Sequence, residues 1–510
     1  MRILPLLVLL LLGCGGEATA PELPETDLSQ AAIIPLPYKV TATNSAFLLD
    51  EGILMKIQAK PNGPSGELEN FISLLGEQLA EQGITRAETG RSLQLILEAP
   101  NSPMAHSDWY QLDIEEEAIT LRANSQAGLS SGSQTLLQLL ALRGENNYLA
   151  TGTIEDHARF VHRGFMLDVS RHFFGLETVK KIIDYLAFYK INRLHLHLSD
   201  DQGWRLEIKS FPNLTEHGGS TEVGGGPGGF YTQAEYRELV EYARIRQIMV
   251  IPEFDMPGHT NAALASYPDL NCDGKARELY TGTEVGFSSF CIHSEFTYHF
   301  VDSLIREVAA ITTGSFIHIG GDEVHTLSAE DYAYFIERVA GIVQDYGKQV
   351  MGWDEIAQAD LPPGSVAQYW NFAENAQAAV AQDVQVLFSP ATRAYLDMKY
   401  DSTTELGLAW AAYIELEDAY DWDPVGMVEG VEEQHIIGVE APLWAETIEE
   451  LADIEYLLFP RLAAIAEVGW TSAGRKDWSD FKGRAKAHSD WWSSRDINYY
   501  PSPNLEAEAD

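Results

Sequence analysis

The sequence predicts an α/β protein whose larger part is a (β/α)8 TIM barrel, preceded by a small α+β domain. From about residue 160 onward, eight short apolar runs recur, and each ends in polar or aromatic residues. Segments with helical spacing lie between several of them, such as 176–190 and 233–246. Eight such units in roughly 320 residues have the size of a closed barrel.

The amino terminus reads as a processing signal. Arg2 precedes an apolar run from Ile3 to Leu12, too short to span a bilayer as a mature helix but of the length of a secretory h-region. Residues 1–13 are assigned to it. Leu11-Leu12-Gly13-Cys14 resembles the lipobox of bacterial lipoproteins, in which Cys14 becomes the lipidated first residue. An ordinary signal with an incidental cysteine is the alternative. The Gly-, Glu-, Pro-, Thr- and Ala-rich stretch 14–32 is expected to be a flexible tether. The protein is thus expected to be exported and anchored to the cell envelope through lipid alone.

Residues 33–155 carry the α+β pattern. Strands are expected at 47–49, 53–57, 93–97, 109–114 and 118–122, with helices at 68–79 and 130–142. No catalytic cluster falls in this part, which reads as a packing or positioning domain.

The barrel, residues 160–500, is expected to use strands at 164–169, 193–198, 248–251, 316–319, 349–353, 365–370, 384–388 and 436–439. Its last helix should end near Trp491 and leave a short polar tail.

With 34 basic and 76 acidic residues the net charge is −42, which argues against nucleic acid or an anionic membrane surface as partner. A neutral or cationic ligand fits better. After Cys14, the remaining Cys272 and Cys291 bracket a loop-like stretch in an oxidising compartment, and a disulfide is expected there. Closing such a loop stabilises by roughly 3 kcal/mol in the chain-entropy model. Free thiols or a metal pair are the alternatives.

In a parallel barrel, function collects where strands open into loops at their carboxyl ends. Reading past each strand gives Arg171; Asp200 and Asp201; Glu253, Asp255 and His259; Asp322 and Glu323; Trp353, Asp354 and Glu355; Trp370; Tyr395, Asp397 and Trp410; Trp444 and Glu446. Tryptophan faces stack on sugar C–H surfaces, and carboxylates with Arg satisfy vicinal hydroxyls. Gly320-Gly321 before Asp322-Glu323 allows a tight turn or a close ligand approach. Taken alone, that stretch reads more readily as a strand cap followed by a solvated acidic loop, and the rest of the chain decides the matter.

Four segments carry a resemblance. His318-Ile-Gly-Gly-Asp-Glu-Val324, His195-Leu-His-Leu-Ser-Asp-Asp-Gln-Gly-Trp204, Pro252-Glu-Phe-Asp-Met-Pro-Gly-His259 and Ala441-Pro-Leu-Trp-Ala-Glu446 resemble the motifs of glycoside hydrolase family 20, the β-N-acetylhexosaminidases, which include chitobiases. The likeness spans residues 33 to about 500 and includes the small leading domain. It departs at Asp156-His-Ala-Arg-Phe160, where a proline is expected in place of Ala158.

Adjacent carboxylates point in different directions along an extended chain, so Asp322 and Glu323 cannot flank a bond like the usual glycosidase pair. The resemblance implies substrate assistance: the 2-acetamido oxygen attacks the anomeric carbon, giving an oxazolinium ion and net retention. It implies that Glu323 is the general acid and base, and that Asp322 orients the acetamido N–H. Tyr395 would bond the acetamido carbonyl, with Trp353, Trp370 and Trp444 as walls and Trp410 helping to close the site. Arg171, Asp397 and Glu446 would hold ring hydroxyls. Asp200, chosen over Asp201 by motif position, and His259 would form a relay with Glu323. Burial and neighbouring carboxylates are expected to raise the Glu323 pKa. No cofactor or metal is implied.

Two rival readings remain open. His195 and His197 on one strand face, with His259 and His318, could serve a metal-dependent hydrolase. Alternatively, a surface lipoprotein could bind aminosugars without turning them over. On the family reading the substrate is an amino-sugar oligosaccharide with a terminal GlcNAc or GalNAc. Chitin fragments, peptidoglycan remnants and glycoprotein glycans all carry such an end.

Overall fold

The computed structural model describes residues 23–49, 52–58, 65–98 and 108–506. The signal segment and Cys14 lie outside the described residues. Among the described residues no helix is long and apolar enough to cross a membrane.

A seven-stranded mixed sheet forms the first unit. Its strands are β1 (Lys39–Leu48), β2 (Gly52–Gln58), β3 (Thr85–Arg86), β4 (Ser92–Leu97), β5 (Tyr110–Ile114), β6 (Ala118–Ala123) and β7 (Tyr148–Asp156), in the order β1-β7-β5-β6-β4-β2-β3. Period-two burial drives the pairing: Tyr110, Leu112 and Ile114 are buried while Gln111 and Asp113 are less so. Helices Ser65–Glu81 and Gln126–Ala141 cover it with Leu68, Phe71, Leu75, Leu136 and Leu140. The second begins at Ser125, whose side chain accepts the Gly128 N–H at 2.9 Å. β7 escapes the sequence reading because Ala150, Thr151, Gly152 and Thr153 blunt its apolar alternation.

Two terminal segments differ from expectation. Residues 26–32 of the expected tether are docked: Leu28 is buried in the core of the first unit, and the Ala32 carbonyl accepts a bond at 2.8 Å from His488 Nε2. Leu28 and Ile33 supply the apolar anchors that a tether lacks. At the other end, the last long helix, Trp478–Ser494, is followed by a packed segment. There Tyr500 stacks on Tyr400 with ring centroids 3.8 Å apart.

The second unit is a closed barrel of eight parallel strands. They are β8 (His162–Asp168), β9 (Arg193–His197), β10 (Met249–Glu253), β11 (Phe316–His318), β12 (Gln349–Trp353), β13 (Val366–Tyr369), β14 (Gln385–Phe388) and β15 (Ile436–Leu443). All eight expected strands are present. The helix Leu176–Phe188 turns Val179, Ile182, Ile183 and Leu186 onto the barrel, and Gln233–Ile245 starts at a Thr232/Glu235 capping box.

The interior is unusual for a barrel, where branched apolar side chains dominate. Ile251, Met351, Val366 and Leu387 form only a small apolar cluster. Beside it runs a buried chain of alternating rings and carboxylates. His162 Nε2 is 2.9 Å from Glu440, His195 bridges Glu440 at 2.8 Å and Glu253 at 3.0 Å, and His197 bridges Glu253 at 2.5 Å and Asp200 at 2.7 Å.

The two units are joined through buried polar hubs. Asp156, at the end of β7, accepts from Tyr110 Oη at 2.7 Å, Lys190 Nζ at 3.1 Å and Trp470 Nε1 at 2.9 Å. At the junction, Arg159 N–H bonds the Trp470 carbonyl at 2.8 Å, with Ala158 buried beside it. Cys272 and Cys291 form a disulfide with Cα atoms 4.8 Å apart, closing a loop that reaches the barrel rim.

Candidate active site

The turn after β11 is forced by sterics. Gly320 and Gly321 have φ of 68° and 101°, and a Cβ on Gly320 would lie 1.8 Å from Asp255 Oδ1. That oxygen instead accepts the Gly321 N–H at 3.1 Å. The turn delivers Asp322, 7% exposed, and Glu323, which itself has φ of 50°. His259, 2% exposed, has φ of 52°. Left-handed backbone at two non-glycine residues facing one cleft is strain of the kind stored at functional sites.

The three residues expected to form a relay are neighbours, with His259 Nε2 in ion-pair contact with Glu323 but making no hydrogen bond. His259 Nδ1 is 3.2 Å from Asp200 Oδ1, and its Nε2 is 3.5 Å from Glu323 Oε2 and 3.7 Å from Asp322 Oδ2. Asp200 also meets Arg171 at 2.8 Å and His197 at 2.7 Å. Asp201 turns away, accepting from Ser288 Oγ at 2.5 Å and the Asn261 N–H at 2.9 Å, so that Asp200 is the acid His259 meets.

The electrostatics differ from expectation at one point. Burial pushes the Glu323 carboxyl up, but bonding to His259 and the charges of His259, Arg171 and His325 outweigh it and hold it below its ordinary value. The expected upward shift is therefore not found in the open cleft. His259 shows the converse. Burial opposes its charge, yet Asp200 and Asp322 hold the imidazole well above its usual range. The two shifts run in opposite directions, which favours charge on both groups. Burial, with Glu323 adding to it against His259, raises Asp322.

The cleft above is a cavity of about 220 Å³ lined by Arg171, Asp322, Glu323, Trp370, Tyr395, Asp397, Trp410, Trp444 and Glu446, joined by Thr283, Val285 and Leu408. Trp444 lies under the Arg171 guanidinium, 4.7 Å from ring centroid to Cζ. Trp410 is 55% exposed at the mouth. Trp353 is fully buried rather than lining the cleft. Its ring packs 5.6 Å from Trp444 and its Nε1 donates to Glu253 at 2.9 Å, so it supports the floor from behind.

Several buried atoms in the cleft have no hydrogen-bond partner among the described residues: Asp322 Oδ1, both carboxylate oxygens of Asp397, Glu446 Oε2 and Arg171 Nε. Buried polar groups are otherwise paired in native proteins, so this set is shaped for a polyhydroxylated ligand. Burial and then Glu446 push the Asp397 carboxyl well up, and burial raises Glu446 against the pull of Arg171.

The sequence reading missed some of the machinery. Asp168 orients Arg171 at 3.2 Å and accepts the Ala445 N–H at 3.1 Å. A carboxylate ending an apolar strand was the available signal. Thr283 and Val285 lie on the disulfide-closed loop, which has no periodicity to mark them. His195, Glu253 and His318 stand close enough to share a metal ion, but both His195 nitrogens already face carboxylates.

A barrel whose rim presents acids, Arg, Tyr and Trp around a cavity of about 220 Å³ has the make-up of a glycoside hydrolase. The family model for "Glycosyl hydrolase family 20, catalytic domain" matches residues 160–473, and that for its domain 2 matches residues 30–157. A beta-N-acetylhexosaminidase of Cellulomonas fimi is 41% identical over 94% of this chain and 97% of its own. The solved GH20 beta-N-acetylhexosaminidase of Streptomyces coelicolor A3(2) is 41% identical with a TM-score of 0.87, covering 94% of this chain and 99% of that one. The Streptomyces plicatus N-acetyl-beta-hexosaminidase, solved in complex with Thio-NAglucal, is 44% identical with a TM-score of 0.88, covering 95% and 99%. A mutant of it was solved with its product GlcNAc. The chain belongs to glycosyl hydrolase family 20, in the β-N-acetylhexosaminidase class.

Proposed function

We propose that the chain removes terminal β-linked GlcNAc or GalNAc from the non-reducing end of amino-sugar oligosaccharides, using the substrate's acetamido oxygen as nucleophile. The observation that carries this is the pairing of two adjacent acids with unequal surroundings. Glu323 Oε2 lies 3.5 Å from His259 Nε2, whereas Asp322 presents an unpartnered buried Oδ1 to the cleft.

In the first step the acetamido oxygen forms a bond to the anomeric carbon as the glycosidic bond breaks, and the Glu323 carboxyl gives its proton to the leaving oxygen. Asp322 accepts the acetamido N–H and stabilises the positive charge that develops on the oxazolinium ring. Tyr395 donates to the acetamido oxygen and aligns it. In the second step Glu323 takes a proton from water, which attacks the anomeric carbon, breaks its bond to the acetamido oxygen so that the acetamido group is regenerated, and restores the β configuration. Arg171, Asp397 and Glu446 hold ring hydroxyls, while Trp444 and Trp370 wall the ring.

Proton supply follows from the relay. In the open cleft the pair is an imidazolium and a carboxylate. A sugar covering Glu323 removes water and disfavours that separated charge, so the proton passes from His259 to Glu323. Hydrolysis of an aryl N-acetylglucosaminide followed by NMR tests the reading. The β-anomer should appear first, and aryl glucosides without the acetamido group should be poor substrates. Initial α product, or equal rates on the two glycosides, overturns it.

The apolar run before Cys14 supports a further proposal, that the enzyme is exported and lipid-anchored at Cys14. Labelling with a radioactive fatty acid that disappears in Cys14→Ala tests the anchor. A kcat/KM panel of chitobiose, a muropeptide disaccharide and an N-glycan tests the substrate source.

A further inference from the structure

Trp370 is held by the residues that end the neighbouring strand. Beyond β12, Asp354 Oδ2 accepts the backbone N–H groups of Trp370 at 3.1 Å, Asn371 at 3.4 Å and Phe372 at 3.3 Å. Its Oδ1 accepts from Asn375 Nδ2 at 2.7 Å. The next residue, Glu355, takes the indole: its Oε2 accepts Trp370 Nε1–H at 3.1 Å. Both acids are buried. One therefore fixes the loop backbone and the other fixes the ring. A tryptophan has a single polar handle, so bonding it leaves the indole one orientation in the cleft.

The place of this contact matters. Trp370 lines the same cavity as Asp322 and Tyr395, the two residues assigned to the acetamido group. Trp410 stands edge-on both to the Trp370 indole and to the Tyr395 ring, each at 6.0 Å. The indole that Glu355 holds thus borders the acyl end of the cavity. We propose that Asp354 and Glu355 are positioning residues that set the width of the acyl recess through Trp370, and so determine which N-acyl group the enzyme accepts. The inference rests on the substrate-assisted reading above.

The test compares aryl β-glucosaminides carrying N-acetyl, N-propanoyl and N-butanoyl groups. A rigid recess discriminates against one added methylene by about 10-fold or more in kcat/KM. Wild type should show that preference, and Glu355→Gln, which keeps a carbonyl acceptor for the indole, should retain it. Glu355→Leu should raise KM for the N-acetyl substrate and lower the acetyl-to-propanoyl ratio by about tenfold. Trp370→Phe, which keeps an aromatic wall but has no N–H, should lose the same discrimination, and combining it with Glu355→Leu should cost nothing more. If Glu355→Leu fails to fold, Trp370→Phe decides the point with the indole bond removed from the other side. An unchanged ratio in either variant, or a Glu355→Gln ratio as low as that of Glu355→Leu, overturns the inference while wild-type turnover leaves the enzyme reading standing. A wild type inactive on the N-acetyl glycoside overturns both.

Discussion

His259 Nε2 stands 3.5 Å from Glu323 Oε2, and the two groups are shifted in opposite directions, the imidazole up and the carboxyl down. His259 faces Asp200, Asp322 and Glu323; Glu323 faces His259, Arg171, His325 and Asp322. With the imidazole raised and the carboxyl lowered, the pair keeps one proton until pH exceeds the raised imidazole value. The wild-type alkaline limb of kcat/KM should therefore lie well above the ordinary histidine value of about 6.5. His259→Asn removes the reservoir and leaves Glu323 to hold the proton alone. Its alkaline limb should move down by more than one pH unit, with kcat reduced by about 10²-fold. An unmoved limb in that variant would show that Glu323 is protonated by another route.

The two neighbouring acids should fail differently. Glu323→Gln cannot give or take the proton, and kcat on an aryl N-acetylglucosaminide should fall by about 10²–10⁴-fold while KM changes little. A leaving group that needs no protonation should restore much of the first step. Asp322→Asn keeps an acceptor oxygen but loses the charge opposite the oxazolinium nitrogen. It should slow substrates with good and poor leaving groups alike. If the better leaving group rescues Asp322→Asn as fully as Glu323→Gln, the division of roles is wrong.

The eight barrel strands could be read directly because each is a short apolar run with a polar end, and the rim residues followed from strand ends alone. Glu323 carried its position in the sequence but not its charge balance. The lowered carboxyl depends on His259, 64 residues earlier in the chain, and on the Asp200–Arg171 pair behind it. Trp353 was legible as a rim tryptophan, yet its indole turns inward across β11 to Glu253 on β10, a partner set by the strand order β10-β11-β12. The barrel's charged interior was visible only as His195 and His197 on one strand face. Without Glu253 and Glu440 opposite them, such a pair reads equally as metal ligands. β7 and the docked segment 26–32 stayed hidden because small residues and single apolar anchors leave no periodic trace.

The joint between the two units should break at Asp156. Its carboxylate meets Lys190, Tyr110 and Trp470 in a fully buried site. Asp156→Ala leaves the Lys190 ammonium without its carboxylate and should cost about 3–5 kcal/mol, since removing one partner of a buried pair strands the other charge. Urea denaturation of the variant should show a lower midpoint, with the first unit losing protection in hydrogen exchange ahead of the barrel. Asp156→Asn, which keeps acceptor capacity, should lose less. Stability within about 1 kcal/mol of wild type for Asp156→Ala would refute the hub.

The interior chain makes stability depend on alkaline pH through His195. Burial opposes its charge, but Glu253 and Glu440, one on each ring nitrogen, raise its pKa to about 9. A base whose folded value lies above its unfolded value near 6.5 stabilises the fold when protonated. That contribution is fully present below pH 6.5 and is lost as pH rises through about 9. It is on the order of 3 kcal/mol at most, since each tenfold gain in proton affinity on folding is worth about 1.4 kcal/mol. Wild-type Tm should therefore fall more steeply between pH 6.5 and 9 than that of His195→Gln, whose amide does not titrate. The variant should be less stable at about pH 6 and converge on wild type near pH 9.5. Imidazole ¹⁵N shifts of histidine-labelled protein follow the same proton without a substitution. Parallel Tm curves for the two proteins, together with a neutral His195 signal at about pH 7, would refute the charged interior.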